Sequence, residues 1–322
     1  MLQKMSAPMY AWGKFSAKET GMRIAKICVW SIAAGVVIAA SAFAQQPQPR
    51  VIKDVEYARA GDISLRLDLY LPEGQGSHPL IVWIHGGAFR SGDKGGIFWS
   101  PMPRQTERGY AVASINYRLS GQAVFPALVY DCKAAIRWLR ANAGKYGLNS
   151  QRIVVAGESA GGHLSALLGT SGGVSALEDL AMGNPSESSR VQGVVDFFGP
   201  TDFLQMDPGV PAACQKPLVH NVPESPESLL LGCTITTCPE KVKAANPIAY
   251  IGKDDPPFLI LHGTADCSVA PAESQLLYDA LVKAGVRADL HLLPGLAHGD
   301  RRFVTPENEK LVNDFIDGVL KP

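Results

Sequence analysis

From residue 51 onward the apolar positions of the chain follow two periods in turn. Val51 to Arg59 and Ile63 to Leu71 alternate apolar and polar side chains, which predicts an antiparallel hairpin at the edge of a sheet, with one face toward water. Pro79-Leu-Ile-Val-Trp-Ile84 is instead a continuous apolar run, the composition of a strand buried on both faces. Further strands are predicted at Tyr110 to Tyr117, Ile153 to Val155, Val191 to Phe198, Pro257 to Leu261 and Ala288 to Leu293, most of them mainly apolar. Helical spacing occupies Pro126 to Ala143, His163 to Leu168, Pro271 to Ala284 and Pro306 to Leu320. Buried strands alternating with helices predict an α/β fold: a mostly parallel sheet covered on both sides, binding ligands at the carboxyl ends of its strands.

Two longer stretches break the alternation. Phe89 to Arg108 is rich in glycine, proline and aromatic residues. Thr201 to Pro247 is too long for a structureless connection in a compact domain, so residues 201–247 are expected to form a small cap-like insertion over the site. The chain has no internal repeat.

Composition narrows the class without naming it. The 322 residues are 46% hydrophobic, with 30 basic against 30 acidic side chains. That is a globular protein with a large core, and it lacks the basic excess that nucleic acid or an anionic lipid surface requires. The first 44 residues read differently. Met22-Arg-Ile-Ala-Lys26 supplies positive charge, Ile27 to Ala40 an apolar stretch, and Ala42-Phe-Ala44 a small-residue cleavage site before Gln45. Residues 1–44, or 22–44 if Met22 is the start, are therefore expected to be a secretory signal peptide, leaving 45–322 as one domain without a stable membrane span. A membrane anchor is the competing reading, but the apolar stretch is short for a bilayer. Export implies a periplasmic or secreted protein.

Cysteine usage fits that compartment. Cys28 lies in the leader, and Cys132 sits in a helical run as a free core thiol. Cys214, Cys233, Cys238 and Cys267 form an even set with three possible pairings and room for up to two disulfides. Zinc is the competing use, disfavoured because no second close pair accompanies Cys233 and Cys238.

The chemistry centres on Arg152-Ile-Val-Val-Ala-Gly-Glu-Ser-Ala-Gly-Gly162, where a strand ends in a glycine-flanked serine and becomes a helix. Such a turn strains the backbone of Ser159 and lifts its hydroxyl clear of the sheet. It also brings the positions two before and two after it together, where only small residues such as Gly157 and Gly161 fit. Gly-x-Ser-x-Gly is a common pattern in a chain with 32 glycines, so partners must support it. Three other strand ends provide them. His85-Gly-Gly-Ala-Phe89 offers the N–H groups of Gly86 and Gly87, with that of Ala160, as an oxyanion hole. His262-Gly-Thr-Ala-Asp266 offers Asp266 as the orienting acid, and Leu293-Pro-Gly-Leu-Ala-His298 offers His298 as the general base.

Other candidates carry less. Asp202 also follows a strand, Asp254 and Asp255 precede theirs, and Asp300 is too near His298 in sequence. His85, His163 and His262 are expected to be structural, and Glu158 to hold a hydrogen-bond network beneath the site. Phe89, Phe98 and Trp99 are candidate lining for an acyl pocket.

Six ordered motifs, from His85-Gly-Gly-Ala-Phe89 through Asn116-Tyr-Arg-Leu119, Gly157-Glu-Ser-Ala-Gly-Gly162, Gly199-Pro-Thr-Asp202 and His262-Gly-Thr-Ala-Asp266 to Ala297-His-Gly299, resemble the α/β-hydrolase serine esterases. The resemblance is nearest to the bacterial feruloyl-esterase-like (BD-FAE-like) branch, close to the hormone-sensitive-lipase group, and spans Val51 to Leu320. It implies a serine carboxylester hydrolase without metal or organic cofactor, acting on small or carbohydrate-linked esters (short-chain, acetyl or feruloyl) and not on nucleic acid. Gly-Gly-Ala replaces the three glycines of the lipase group, so tertiary-alcohol esters are less expected. Cys267 follows Asp266 where relatives carry proline, which suggests a disulfide bracing the acid loop. Two other functions compete: an exopeptidase on the same fold, and a non-catalytic binding module, though a module of that kind has typically lost a triad residue.

Overall fold

The computed structural model describes residues 49–321, except the side chains of Phe98 and Trp99. The expected leader at 1–44 lies outside the described residues, and so do the side chains of those two pocket candidates.

The hairpin forms as β1 (Arg50–Ala60) and β2 (Ile63–Leu71), turning through Gly61 at φ +58°. The continuous runs give β3 (His78–Ile84) and β4 (Ala111–Ile115), followed by α1 (Ala127–Ala141), the single turn α2 (Ala143–Tyr146), β5 (Leu148–Glu158) and α3 (Ala160–Thr170). Then come β6 (Gly193–Phe197), the short helices α4 (Pro226–Leu231) and α5 (Pro239–Ala245), β7 (Phe258–Gly263), α6 (Pro271–Lys283), β8 (Ala288–Leu293) and α7 (Pro306–Leu320). The eight strands form one sheet in the order β1-β2-β4-β3-β5-β6-β7-β8. The pairs β1/β2 and β2/β4 are antiparallel and the rest are parallel. This is the α/β-hydrolase arrangement.

Strand periodicity divides the core between the two faces. On β3, Leu80, Val82 and Ile84 join the cluster that packs under α1, α3 and α6. Ile81 and Trp83 point the other way, against α7 and Ile97 and Met102 of the turns at 94–108. Both sets are buried, which is why the sequence of β3 shows no polar alternation.

The two stretches outside the alternation are ordered. Lys94–Trp99 and Met102–Arg108 are 3₁₀ turns, the first capped by the Asp93 carboxylate, which accepts from Gly95 N–H at 2.6 Å. Within 201–247, α4 begins at Ser225, whose hydroxyl accepts from Ser228 N–H. Cys233 bonds to Cys238 inside this segment, and Cys214 bonds to Cys267 just after β7. Zinc is thereby ruled out as the use of the Cys233/Cys238 pair. Cys132 is a buried free thiol, as expected.

Candidate active site

Ser159 stands between β5 and α3 at φ +53°, a left-handed conformation that a serine adopts only when its surroundings fix it. A Cβ on Gly161 would overlap the Ile84 carbonyl, and one on Gly157 would meet the same oxygen at 2.8 Å. The two glycines let the turn fold against the end of β3, and that compression presents the serine hydroxyl at the carboxyl edge of the sheet. Gly162 is equally constrained, because a Cβ there would run into the Asp196 carboxylate.

Asp266 and His298 reach the same edge from β7 and β8. His298 Nε2 lies 2.9 Å from Ser159 Oγ, and His298 Nδ1 lies 2.7 Å from Asp266 Oδ2. With a carboxylate on one side, Nδ1 carries the proton and Nε2 accepts from the serine hydroxyl. Asp266 is fully buried. Burial works against its charge, but hydrogen bonds from His262 and His298 outweigh it and hold the carboxyl far below its ordinary range. Ser268 and Val269 donate their N–H groups to Asp266 Oδ1 at 2.8 and 2.9 Å, leaving Oδ2 for the histidines. Phe198, at 4.8 Å edge-on, walls the imidazole of His298.

Three of the expected site residues thus meet in one relay. The oxyanion candidates divide. Ala160 is the first residue of α3, and Gly86 and Gly87 both border the cavity. Glu158 lies beside Gly86 beneath the loop, where burial raises its pKa against the pull of His298 and of the Gly86 backbone. The N–H of Gly87 has no protein acceptor among the described residues, in a loop whose φ is +113° at Gly87 and +55° at Ala88. A Cβ at Gly87 would collide with the Ser91 carbonyl, so glycine is required there.

The remaining candidates take supporting places. His85 Nδ1 bonds to the Gly86 carbonyl, and its ring stacks on Tyr117 at 4.4 Å, bracing the oxyanion loop. His163 Nδ1 donates to the Pro200 carbonyl, and burial drives the ring down to about 4, so it stays neutral. His262 donates from Nε2 to the Val269 carbonyl, receives the Ser274 hydroxyl at Nδ1, and approaches Asp266 Oδ2 to 3.3 Å, nearer the reacting groups than a remote structural role requires. Asp202 caps its own turn through Leu204 N–H, and Asp300 is engaged by Arg302. Asp255 binds Gly252 N–H ahead of β7, at the opposite edge of the sheet. Phe89 borders the cavity but is 1% exposed, packed edge-on to His163 and Phe203.

Beside Ser159 lies a cavity of about 750 Å³. Trp83, Phe197, Phe198 and Phe303 line one wall; Leu218, His220, Pro226 and Glu227 of the 201–247 segment line another. Sequence reasoning did not find His220 and Glu227. Ser225-Pro-Glu227 was a legible helix start, but nothing in its spacing ties it to a histidine seven residues earlier.

The BD-FAE family model matches residues 67–281, from β2 through most of α6. The chain belongs to the BD-FAE family. Among relatives of this BD-FAE chain, Esterase LipC of Mycobacterium tuberculosis is 32% identical over 224 residues, 69% of this chain and 53% of LipC. Esterase LipQ of the same organism is 32% identical over 275 residues, 83% of this chain and 62% of LipQ. The chain therefore spans between half and two thirds of the length of these curated relatives. A solved structure, a truncated form of carbohydrate esterase from gut microbiota, superimposes with a TM-score of 0.76 at 34% identity, covering 85% of this chain and 97% of its own. What these BD-FAE-like proteins share with this chain extends well beyond the motif around Ser159, across most of the sheet.

Proposed function

We propose that the protein is a serine carboxylester hydrolase that uses Ser159, His298 and Asp266 and passes through an acyl-enzyme. The observation that carries the reading is the continuous relay from Ser159 Oγ through both nitrogens of His298 to a carboxylate that stays ionised. In this reading Ser159 Oγ attacks the ester carbonyl as His298 Nε2 takes its proton. The protonated imidazole, steadied by Asp266, then gives that proton to the leaving alcohol, and water repeats the cycle to release the acid. The N–H groups of Gly87 and Ala160 receive the charge that develops on the carbonyl oxygen. The N–H of Gly86, in the same loop as Gly87, is the third candidate donor, beside the Glu158 carboxylate.

For substrate, the reading is small or carbohydrate-linked esters with short-chain, acetyl or feruloyl acyl groups. An aromatic wall of four rings suits an aromatic acyl group, and the similarity to a carbohydrate esterase favours sugar-linked esters. The 201–247 segment serves as a cap, closing one side of the cavity. Two disulfides, with no helix among the described residues long and apolar enough to cross a membrane, support a periplasmic or secreted location.

The test is hydrolysis of p-nitrophenyl acetate and methyl ferulate side by side, with Ser159→Ala as the blank. Turnover of either ester that disappears in the variant is the expected result. A variant that retains most of the activity would refute the assignment, and turnover of the acetate alone would remove the feruloyl label.

A further inference from the structure

Opposite the aromatic wall, the cavity meets a charged pair that the relay does not use. Glu227 is 3% exposed and His220 2%, yet both border the cavity. His220 Nε2 lies 2.9 Å from the Ser268 carbonyl, which can only accept, so Nε2 carries a hydrogen. His220 Nδ1 lies 2.8 Å from Glu227 Oε2. Burial opposes a positive charge on this ring, but the contact with Glu227 prevails and raises its pKa, which favours the ring as the donor at Nδ1. Asp207 holds the same residue through the His220 backbone N–H and acts on the ring through its charge, and the charge of His220 in turn acts on Glu273 of α6.

A buried ion pair adds little stability over an apolar pair of similar size, so its presence in a cavity wall asks for a use. Glu227 Oε1 supplies one. It accepts no hydrogen bond among the described residues. Nor is it among the side-chain oxygens sealed inside the protein without a partner, so it opens on the cavity its residue lines. Oε2 is pinned by His220, which leaves Oε1 a fixed, charged acceptor.

Its position sets which half of an ester it meets. His220 is bonded to Ser268, two residues past Asp266, and so lies on the side from which His298 is held. The group that His298 protonates on that side is the leaving alcohol.

Resting on the ester-hydrolase reading, we propose that Glu227, fixed by His220, is the hydroxyl-recognition residue for the alcohol half of the substrate, which is a polyhydroxylated, carbohydrate-like alcohol. Its Oε1 accepts an O–H of that alcohol. A simple alkyl alcohol has no such donor and leaves a desolvated carboxylate oxygen unpaired. His220 is a positioning residue: it aims the carboxylate and steadies the carbonyl of Ser268.

Steady-state kinetics test this with a mono-acetylated methyl xyloside, its deoxy counterpart lacking the remaining hydroxyls, and p-nitrophenyl acetate as reference. The wild type is expected to favour the hydroxylated ester over the deoxy ester by about ten-fold in kcat/KM. Glu227→Gln should shrink that preference several-fold, through KM. His220→Gln, which loosens the aim of the Glu227 carboxylate and of the Ser268 carbonyl, should also shrink the preference, while lowering turnover of all three esters. Equal preference in wild type and Glu227→Gln overturns the proposal, as does a wild type indifferent to the hydroxyls. If Glu227→Gln does not fold, Glu227→Asp, which withdraws the carboxylate by one methylene, should shrink the preference in its place, and an unchanged preference there overturns the proposal. Absence of p-nitrophenyl acetate turnover in the wild type would refute the esterase reading itself, a different result from an esterase without hydroxyl preference.

Discussion

Two histidine–carboxylate pairs face the same cavity, and they are built for opposite purposes. In His298–Asp266 the far nitrogen of the ring meets a hydroxyl, which can give and take back a proton, and the side chain of His298 is 24% exposed. In His220–Glu227 the far nitrogen is committed to a backbone carbonyl, and the side chain is 3% exposed. The first pair has a hydroxyl with which to exchange a proton; the second has none. A histidine beside a carboxylate is therefore no guide to proton transfer until the partner of its other nitrogen is known.

The comparison breaks most visibly by deleting each histidine in turn. His298→Ala should lower kcat by about 10⁴-fold or more, as loss of the base does in serine hydrolases, and steady-state kinetics on p-nitrophenyl acetate would read it. His220→Gln should cost only about ten-fold, because it disturbs the Ser268 carbonyl and not the proton path. Losses of equal size would mean that the second pair also handles protons.

The disulfides sharpen the contrast in stability. Cys214–Cys267 closes a separation of 53 residues and ties the acid loop of one pair to the segment that carries the other. In the chain-entropy description its removal by paired Cys→Ser changes costs about 4 kcal/mol, against about 2 for Cys233–Cys238, whose separation is 5. Guanidinium unfolding of the two double variants measures both, and the first should also lose activity.

Glu273 of α6 lies within the field of His220. It is fully buried, its Oε2 accepts from Thr201 and Asp202 N–H at 2.7 Å each, and its Oε1 has no partner. Burial raises it to about 7, against the pull of those two bonds. A carboxyl whose folded pKa lies above its unfolded value binds more protons when folded, so stability falls as pH rises from about 4.5 to 7. Glu273→Gln mimics the protonated form and should gain about 2 kcal/mol on the wild type between pH 4.5 and pH 8. Denaturant titrations at the two pH values check it; an equal offset at both would show that folding does not raise the pKa of Glu273.

The smallest effect separates the pairs by pH. Asp266 has a lowered folded pKa, so its contribution holds above the unfolded value and fades as acid approaches the folded one. His220 is raised: burial opposes its charge, but the bond to Glu227 prevails. Its contribution is complete below the unfolded value and is lost as pH rises through the folded one. His220→Gln should therefore flatten the alkaline fall in Tm and leave the acid limb unchanged.

Much of the first pair was legible in the sequence and almost none of the second. Ser159, Asp266 and His298 each follow the end of a parallel strand and sit in a glycine-containing turn, so topology alone brings them to one edge. The same logic found the hairpin and the helices after β5, β7 and β8. Strand ends are fixed by the hydrogen-bonded register of a sheet, which periodicity reveals. His220 and Glu227 lie in a segment without such a register, placed by a disulfide whose pairing the four cysteines left open and by side-chain bonds to a loop 48 residues away in the case of Ser268. Gly86 shows a finer limit. Its glycine turn was legible, but the choice of which N–H faces Glu158 depends on loop dihedrals that composition does not encode.

The Cys214–Cys267 bridge has a consequence for what happens when the chain is cut. The exposed stretch around Lys216, with Leu218 and Val219 at 53% and 57% exposure, is an accessible place for a protease to nick the protein. Ser159 and Cys214 would then belong to one fragment, and Cys267, Asp266 and His298 to the other. The bridge spans every cut between its two cysteines, so Ser159 and its two partners in the relay remain a single covalent molecule, and they part company only when a reductant follows the protease.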